Sequence, residues 1–403
     1  MIHIIYLIIP VLFVIFRFIN TKNKPAIFGI YQQKNKSYWL KFIFMYVVLK
    51  LRQLKVYLTR LPTELKSESE IHVQEHDVSI EKCYDLGDYP KSVDGVYFNG
   101  MSETVEALIC GLARRPQRAC DAFLYLKLDG EDVLLTPSLP DTHLKKSSED
   151  DEGHDVQGLT ITNFVPMRTW KLKYNGEMKR RGDDTKIKVE ANLTWSASSN
   201  PFNFDIQMSA WSMANDMARE YWSADYFKLL KKYHQTHYEQ VGYLAGTVIV
   251  NHKKYEIHMP CVRDHSFGTL REWRNFHRYV YHFIFLDNGD FIAAGSVSQP
   301  SILSHLTIGY YYSKENHSMT AIDSSDFQLY QHAENQIIPK DYGFSFEAGG
   351  VSYTVKIQDK DEVSFYIGKD REAKFYEKWC DVEVNGLTGR ACVEWHYNNV
   401  VSK

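Results

Sequence analysis

The chain opens on an almost unbroken apolar run. Ile2 to Phe16 reads IHIIYLIIPVLFVIF, polar only at His3, and Phe18 and Ile19 extend it past Arg17. A membrane span needs about 17 to 25 such residues, and a proline such as Pro10 is tolerated within one. A cleaved signal peptide would carry a basic leader and a small-residue site after the run, and neither is present. The pattern predicts an uncleaved, single-pass anchor over residues 1–20. A second apolar stretch, Tyr38 to Leu51, is interrupted by Lys41 and Lys50. Its length and aromatics suit a segment lying at a membrane surface, and they suit a buried helix as well.

From about Asp94 the pattern becomes one of short alternations. AFLYLKL (122–128), TWKLKYNG (169–176), IKVEANLTW (187–195), KYEIHMPCV (254–262), RYVYHFIFL (278–286) and VSYTVKIQD (351–359) are examples. Period-2 patterning rich in β-branched and aromatic residues marks strands. Turn signals accompany them at Asn175-Gly176, Asn288-Gly289, Gly349-Gly350 and Asn385-Gly386. About twelve such runs exceed the roughly eight strands of one small barrel. The exception lies at 212–235, where Met213, Met217 and Tyr221, then Phe227, Leu230 and Tyr233, fall at helical spacing. Ser223 and Asp225 supply a cap and a first-turn acid for a restart. The expected fold class is all-β, two antiparallel barrels or sandwiches with one helical insertion, preceded by the anchor helix.

Charge sharpens this division. The totals nearly cancel, 47 basic against 50 acidic residues for a net −3. Yet residues 1–60 hold ten Lys or Arg and no acid, which leaves 37 basic and 50 acidic residues, or −13, for the rest. An acidic body excludes a globally basic nucleic-acid binder. Positive charge on the C-terminal side of a span places the body in the cytosol, and a basic cluster is drawn to anionic lipid. A membrane is therefore an expected partner. Six cysteines without C-x-x-C spacing read as reduced, mostly buried thiols.

Phosphate-binding glycine loops, the G-x-S-x-G elbow and H-E-x-x-H are all absent from the sequence, so no cofactor and no metal are expected. Two clusters remain. In HQTHYEQ (234–240), His234, His237 and Glu239 are ligand types, but a strand beginning near His237 would put only His237 and Glu239 on one face. In CVRDHSFGTLREWRNFHR (261–278), Arg263, Asp264, His265, Trp273 and Arg278 crowd a junction after a strand. An Asp beside a His can act in acid–base chemistry. Adjacent strand residues face opposite sides, so cooperation requires a turn. The competing reading is a buried salt-bridge network.

The run Tyr238 to Gly268, ending in RDHSFG, resembles the tandem lipocalin-like family, which includes carotenoid hydratases, AttH-like proteins, fungal survival factors and certain fungal pericyclases. Phe267 stands where that pattern has Trp. VYFNG (96–100), LARRPQR (112–118), MAREYWSADYF (217–227) and PKDYGFSFEAGG (339–350) resemble more narrowly the N-terminal region of animal phosphoenolpyruvate synthase-like proteins. Those proteins usually continue into ATP-grasp and phosphohistidine domains. The sequence here ends at Lys403 without a Gly-Gly-x-Thr-x-His segment, so phosphotransfer is not expected. The resemblance implies two lipocalin-like domains, at 63–268 and 269–403, behind the anchor at 1–20 and a basic, amphipathic juxtamembrane segment at 21–62. The expected function is a non-catalytic, membrane-tethered module binding an apolar small molecule or a partner domain. The alternatives are a hydratase, isomerase or cyclase acting on a lipid or isoprenoid, and an accessory subunit of a separate phosphotransferase. In the enzyme reading Asp264 and His265 are catalytic and face one cavity, with Arg263, Trp273, Arg278, His237 and Glu239 as ligand-binding residues.

Overall fold

The protein is described by a computed structural model covering residues 23–60, 75–147, 153–183 and 185–400. Its first sheet comprises Val93–Met101 (β1), Ala107–Arg114 (β2), Ala119–Lys127 (β3), Leu134–Leu135 (β4), His143–Lys145 (β5) and His154–Val156 (β6). It continues with Leu159–Val165 (β7), Thr169–Arg180 (β8), Lys186–Ala197 (β9), Phe202–Asn203 (β10), Thr236–Val250 (β11) and Lys253–Gly268 (β12). The antiparallel pairings run in a circuit: β1 to β2, β3, the short β4, β8, β9, β11 and β12, and back to β1. A second, closed barrel follows, made of Arg278–Leu286 (β13), Phe291–Gln299 (β14), Leu303–Ser313 (β15), Ser318–Ser325 (β16), Asp341–Ala348 (β17), Val351–Ile367 (β18), Ala373–Val384 (β19) and Leu387–Asn398 (β20).

Alternation decides which side chains fill which space. In β8, Trp170, Leu172, Tyr174 and Met178 point into the first ring and join a core drawn from all around it. In β13, Val280, Ile284 and Leu286 enter the second barrel's own core, while Tyr281, Phe283 and Phe285 belong to a third apolar cluster shared with Ile109, Phe123, Tyr125 and Val262 of the first ring. That strand is apolar on both faces because both faces are covered. The two barrels therefore pack side by side, each with its interior filled by its own side chains. Closed barrels of about eight strands are just wide enough for such filling.

Turn chemistry follows the sequence at most sites. Asn385 and Gly386, both at positive φ (49° and 87°), form the two-residue link between β19 and β20. Asn175-Gly176 is the exception, because β8 runs straight through it, paired with β9. A side chain at Gly176 would begin 2.9 Å from the Tyr174 hydroxyl, so a close approach inside the strand, not a turn, accounts for this glycine.

Among the described residues five α-helices accompany the strands: Tyr38–Arg60 (α1), Glu75–Ile80 (α2), Phe204–Gln207 (α3), Ala210–Arg219 (α4) and Ala224–Lys232 (α5). The expected insertion appears as α4 and α5, with a break after Arg219 and a restart capped by the Ser223 side chain on the Tyr226 N–H. One side of α1 sets Tyr38, Phe42 and Met45 against Ala214, Met217 and Ala218 of α4. The stretch from Tyr38 is thus the start of a helix packed on protein along one side.

The expected single-pass anchor requires correction. Residues 1–20 lie outside the described residues, and among the described ones no helix is long and apolar enough to cross a membrane. The Lys residues spaced through α1 are the physical reason that helix fails.

Candidate active site

β11 and β12 pair with Glu239 opposite Asp264 and His237 opposite Ser266. Both strands have a face inside the first ring and a face toward the second barrel, so neighbouring residues part company. Tyr238, Gln240, Arg263 and His265 turn inward and form a buried polar network. Arg263 sits 2.7 Å from Glu81 Oε1, and Glu81 also accepts from the Tyr238 hydroxyl at 2.5 Å and from the Trp170 indole at 2.9 Å. His265 bonds Asp94 at 2.6 Å and the Tyr238 hydroxyl at 2.9 Å. Arg114 closes on Asp94 at 2.6 Å. Burial acts to raise the Glu81 and Asp94 carboxyls, but their cationic and hydrogen-bonding partners win and hold both below the ordinary range. Burial lowers His265, which favours a neutral ring.

The opposite face is different. Asp264 lines a cavity of about 380 Å³ between the two barrels, a volume typical of small-molecule sites. Its walls are mostly apolar, with Phe123, Phe283, Leu306, Phe365 and Phe375 among them. Its polar groups include His237, Arg271, Tyr279, Tyr281, Glu394 and Asp264 itself, with Arg115 and Asp121 also on the lining. Among the described residues no side chain hydrogen-bonds the Asp264 carboxyl. Burial, reinforced by Glu239 and Glu394 against the pull of His237 and Arg271, pushes it up to about 7. His237 is oriented through Nε2, 3.1 Å from Glu239 Oε1, which also accepts from the Tyr281 hydroxyl at 2.8 Å. Burial opposes the charged imidazole, but the Glu239 bond and the nearby Asp264 raise its pKa.

The floor of the cavity carries a second acid pair. Glu377 on β19 and Glu394 on β20 are direct cross-strand partners. Glu377 is buried and Glu394 half-buried. Burial plus repulsion from Glu394 holds Glu377 well above the carboxylate range, and burial raises Glu394 as well. Tyr279 donates to Glu394, and Tyr97 from the first ring donates to Glu377 at 3.2 Å. Arg271 donates from Nε to Gln235 at 2.5 Å, and burial lowers its pKa to about 10. Trp273 comes from the short 3₁₀ turn Trp273–Asn275 that links the barrels and completes one wall. The arrangement can donate and accept protons within a mostly apolar cavity.

The residues expected from sequence therefore separate. Asp264, His237 and Trp273 reach the cavity, and Glu239 supports His237 from behind. His265 does not face it, so the expected Asp264–His265 pair is split by strand alternation. Arg263 belongs to the inward network. Arg278 enters the second barrel, on Glu334 at 2.9 Å and the His332 carbonyl at 2.7 Å. His234 stands apart on Asp205 at 2.7 Å. Tyr279, Tyr281, Glu377 and Glu394 were missed. For Glu394 the signal was a carboxylate in the mostly apolar run ACVEWHY, which a core tolerates only with partners. Glu377, between lysines in KFYEKWC, and the two tyrosines in RYVYHFIFL carried none.

A family model described as a family of unknown function (DUF8627) matches residues 5–397. The chain belongs to that family. No curated protein matches it in sequence. Among solved structures, kievitone hydratase from Nectria haematococca is similar at TM-score 0.50 and 12% identity, over 79% of this chain and 94% of that one. A protein described as an AttH from Nitrosomonas europaea gives TM-score 0.49 and 12% identity, over 78% and 97%. CghA gives 0.46 and 9%, over 78% and 90%. At 12% identity the likeness to kievitone hydratase concerns the fold alone. The narrower resemblance to phosphoenolpyruvate synthase-like proteins is supported by neither the family model nor these structures.

Proposed function

We propose that the chain is a hydratase, isomerase or cyclase that binds an apolar small molecule in the cavity between its barrels. One observation carries this reading. A carboxyl held near neutral pH, without a hydrogen-bond partner among the described side chains, projects into an apolar space of ligand size. Structural carboxylates are normally paired, as Glu81 and Asp94 are here, whereas a pKa matched to the working pH suits a general acid or base. Asp264 would deliver a proton to an alkene or carbonyl carbon skeleton, and His237, backed by Glu239, would accept or relay one. Glu394 with Tyr279 would hold the substrate's polar end. The kievitone hydratase neighbour, named for a hydration, favours the same reaction class as a supporting likeness only.

The test is a substrate screen with isoprenoid and polyunsaturated compounds in isotopically labelled water, with mass spectrometry reading added label or isomerised product. The Asp264→Asn chain, checked for folding by circular dichroism, is run alongside. Turnover by the natural chain that vanishes in D264N is expected. Turnover unchanged in D264N refutes the assignment. Tight binding of an apolar compound with no conversion favours the non-catalytic carrier instead.

A further inference from the structure

The polar network inside the first ring has a branch that reaches the surface. Of the six cysteines, five are buried and Cys83 is exposed. Its Sγ lies 3.8 Å from His154 Nδ1. The other ring nitrogen, Nε2, faces Asp94 Oδ2 at 3.4 Å. His154 is only 4% exposed, so its ring is held in place by the protein around it.

These three donor types invite comparison with a metal site, and the geometry argues against one. A metal needs its ligand atoms around a common point, with one nitrogen from the ring. Here the imidazole stands between thiol and carboxylate, one nitrogen toward each. Asp94 is committed elsewhere as well: Oδ2 takes Arg114 at 2.6 Å and the Tyr84 N–H at 3.0 Å, and Oδ1 takes His265 at 2.6 Å. A guanidinium on that oxygen repels a cation. The line of thiol, imidazole and carboxylate is instead the arrangement of a nucleophile, its base and the group that orients the base.

We propose that Cys83 is a nucleophilic thiol, activated by His154 and Asp94, that takes soft carbon electrophiles of the conjugated-carbonyl class. The thiol proton passes to His154 Nδ1. The sulfur pair forms an S–C bond at the β-carbon, and the C=C π pair moves to give an enolate. His154 then returns the proton to the α-carbon. The sum is an addition, with no leaving group and no change of oxidation state. The charged groups facing Cys83 are His154 on β6, Asp94 on β1 and Arg114 on β2, with His265 on β12 edge-on to His154 at 6.1 Å between ring centres. The hydrogen bond from His154 holds the thiol below its usual range, against burial and Asp94. Burial disfavours the His154 cation, but Asp94 and Cys83 raise that imidazole to about 9. Both shifts favour the thiolate–imidazolium form, and the two groups titrate as a unit. The buried cysteines serve as internal controls.

N-ethylmaleimide labelling of the native chain between pH 5.5 and 8.5, read by intact mass and peptide mapping, tests this. One label on Cys83 is expected, with the rate at pH 6 within about tenfold of that at pH 8.5, whereas an ordinary thiol of pKa about 8.5 slows about 150-fold over that interval. His154→Gln should lower the pH 6 rate at least about tenfold, and Cys83→Ser should remove the label. A natural-chain profile that follows the ordinary thiol overturns the proposal. So does a folded H154Q chain that labels as fast as the natural one at pH 6, or a native label on a different cysteine. Should H154Q fail to fold, the natural-chain profile alone decides.

Discussion

The two faces of β12 make opposite use of the same residue types. Arg263 and His265 point into the first ring, where Glu81, Tyr238, Gln240 and Asp94 engage them. Asp264, between them in sequence, points into a cavity with its carboxyl free of hydrogen bonds from described side chains. The inward face spends its polar groups on one another, which holds the network rigid. The outward face leaves one titratable group uncommitted, and burial there raises its pKa. Position in the strand, not residue identity, separates structural charge from chemical charge.

The sharpest break of this comparison is D264N against Arg263→Ala. Loss of a general acid costs about 10²- to 10⁴-fold in rate, so D264N should lose that much turnover while remaining folded. R263A should do the reverse. It strands buried Glu81 and should cost about 3 to 5 kcal/mol of stability in denaturant titration. If R263A folds normally and D264N unfolds, the two faces have been assigned the wrong way round.

The pH dependence of stability separates them next. Asp264 is raised from 3.8 to about 7 in the folded chain, so the folded state holds its proton longer than the unfolded state. Its contribution therefore weakens as pH rises from about 4 to about 7. Asp94 and Glu81 are depressed, so theirs is present above about pH 4 and lost as pH falls below it. Melting temperatures of the natural chain and D264N should converge near pH 4 and diverge toward pH 8, with D264N the higher. Glu377 and Glu394 carry the same sign as Asp264, so D264N should flatten the slope without abolishing it. A D264N curve parallel to the natural one throughout would show that Asp264 is not raised.

Smallest in effect is Tyr281→Phe. It removes one hydrogen bond to Glu239 across the barrel interface, worth about 1 kcal/mol. With Tyr281 gone, Glu239 still holds His237. Stability should fall slightly, and the pH optimum of turnover should shift if Glu239 tunes His237. A loss beyond about 3 kcal/mol would mark the hydroxyl as part of the rigid network.

Much of the fold was legible from local rules. Alternation gave strands such as 169–176 and 278–286, Asn385-Gly386 marked its hairpin, and Ser223 marked the helix restart. Asn175-Gly176 misled because a glycine needed for close approach inside a strand looks the same as one needed for a turn. The site was legible only in pieces. Asp264, His237 and Trp273 stood out, but Glu377 and Glu394 lie more than a hundred residues further on and meet Tyr97 of the first ring only after the barrels dock.

The sequence by itself marked a strand over 254–262 and left Asp264 and His265 at a junction after it. That the strand runs on to Gly268, and so parts the two residues by side-chain alternation, was decided by the tertiary structure. Which side would be a filled interior and which an open cavity was decided only by tertiary structure. A strand pattern is the same whether its far face meets water, solid core or a second barrel. Only when the second barrel closes over that face does water leave, and only then does the Asp264 carboxyl rise toward neutrality.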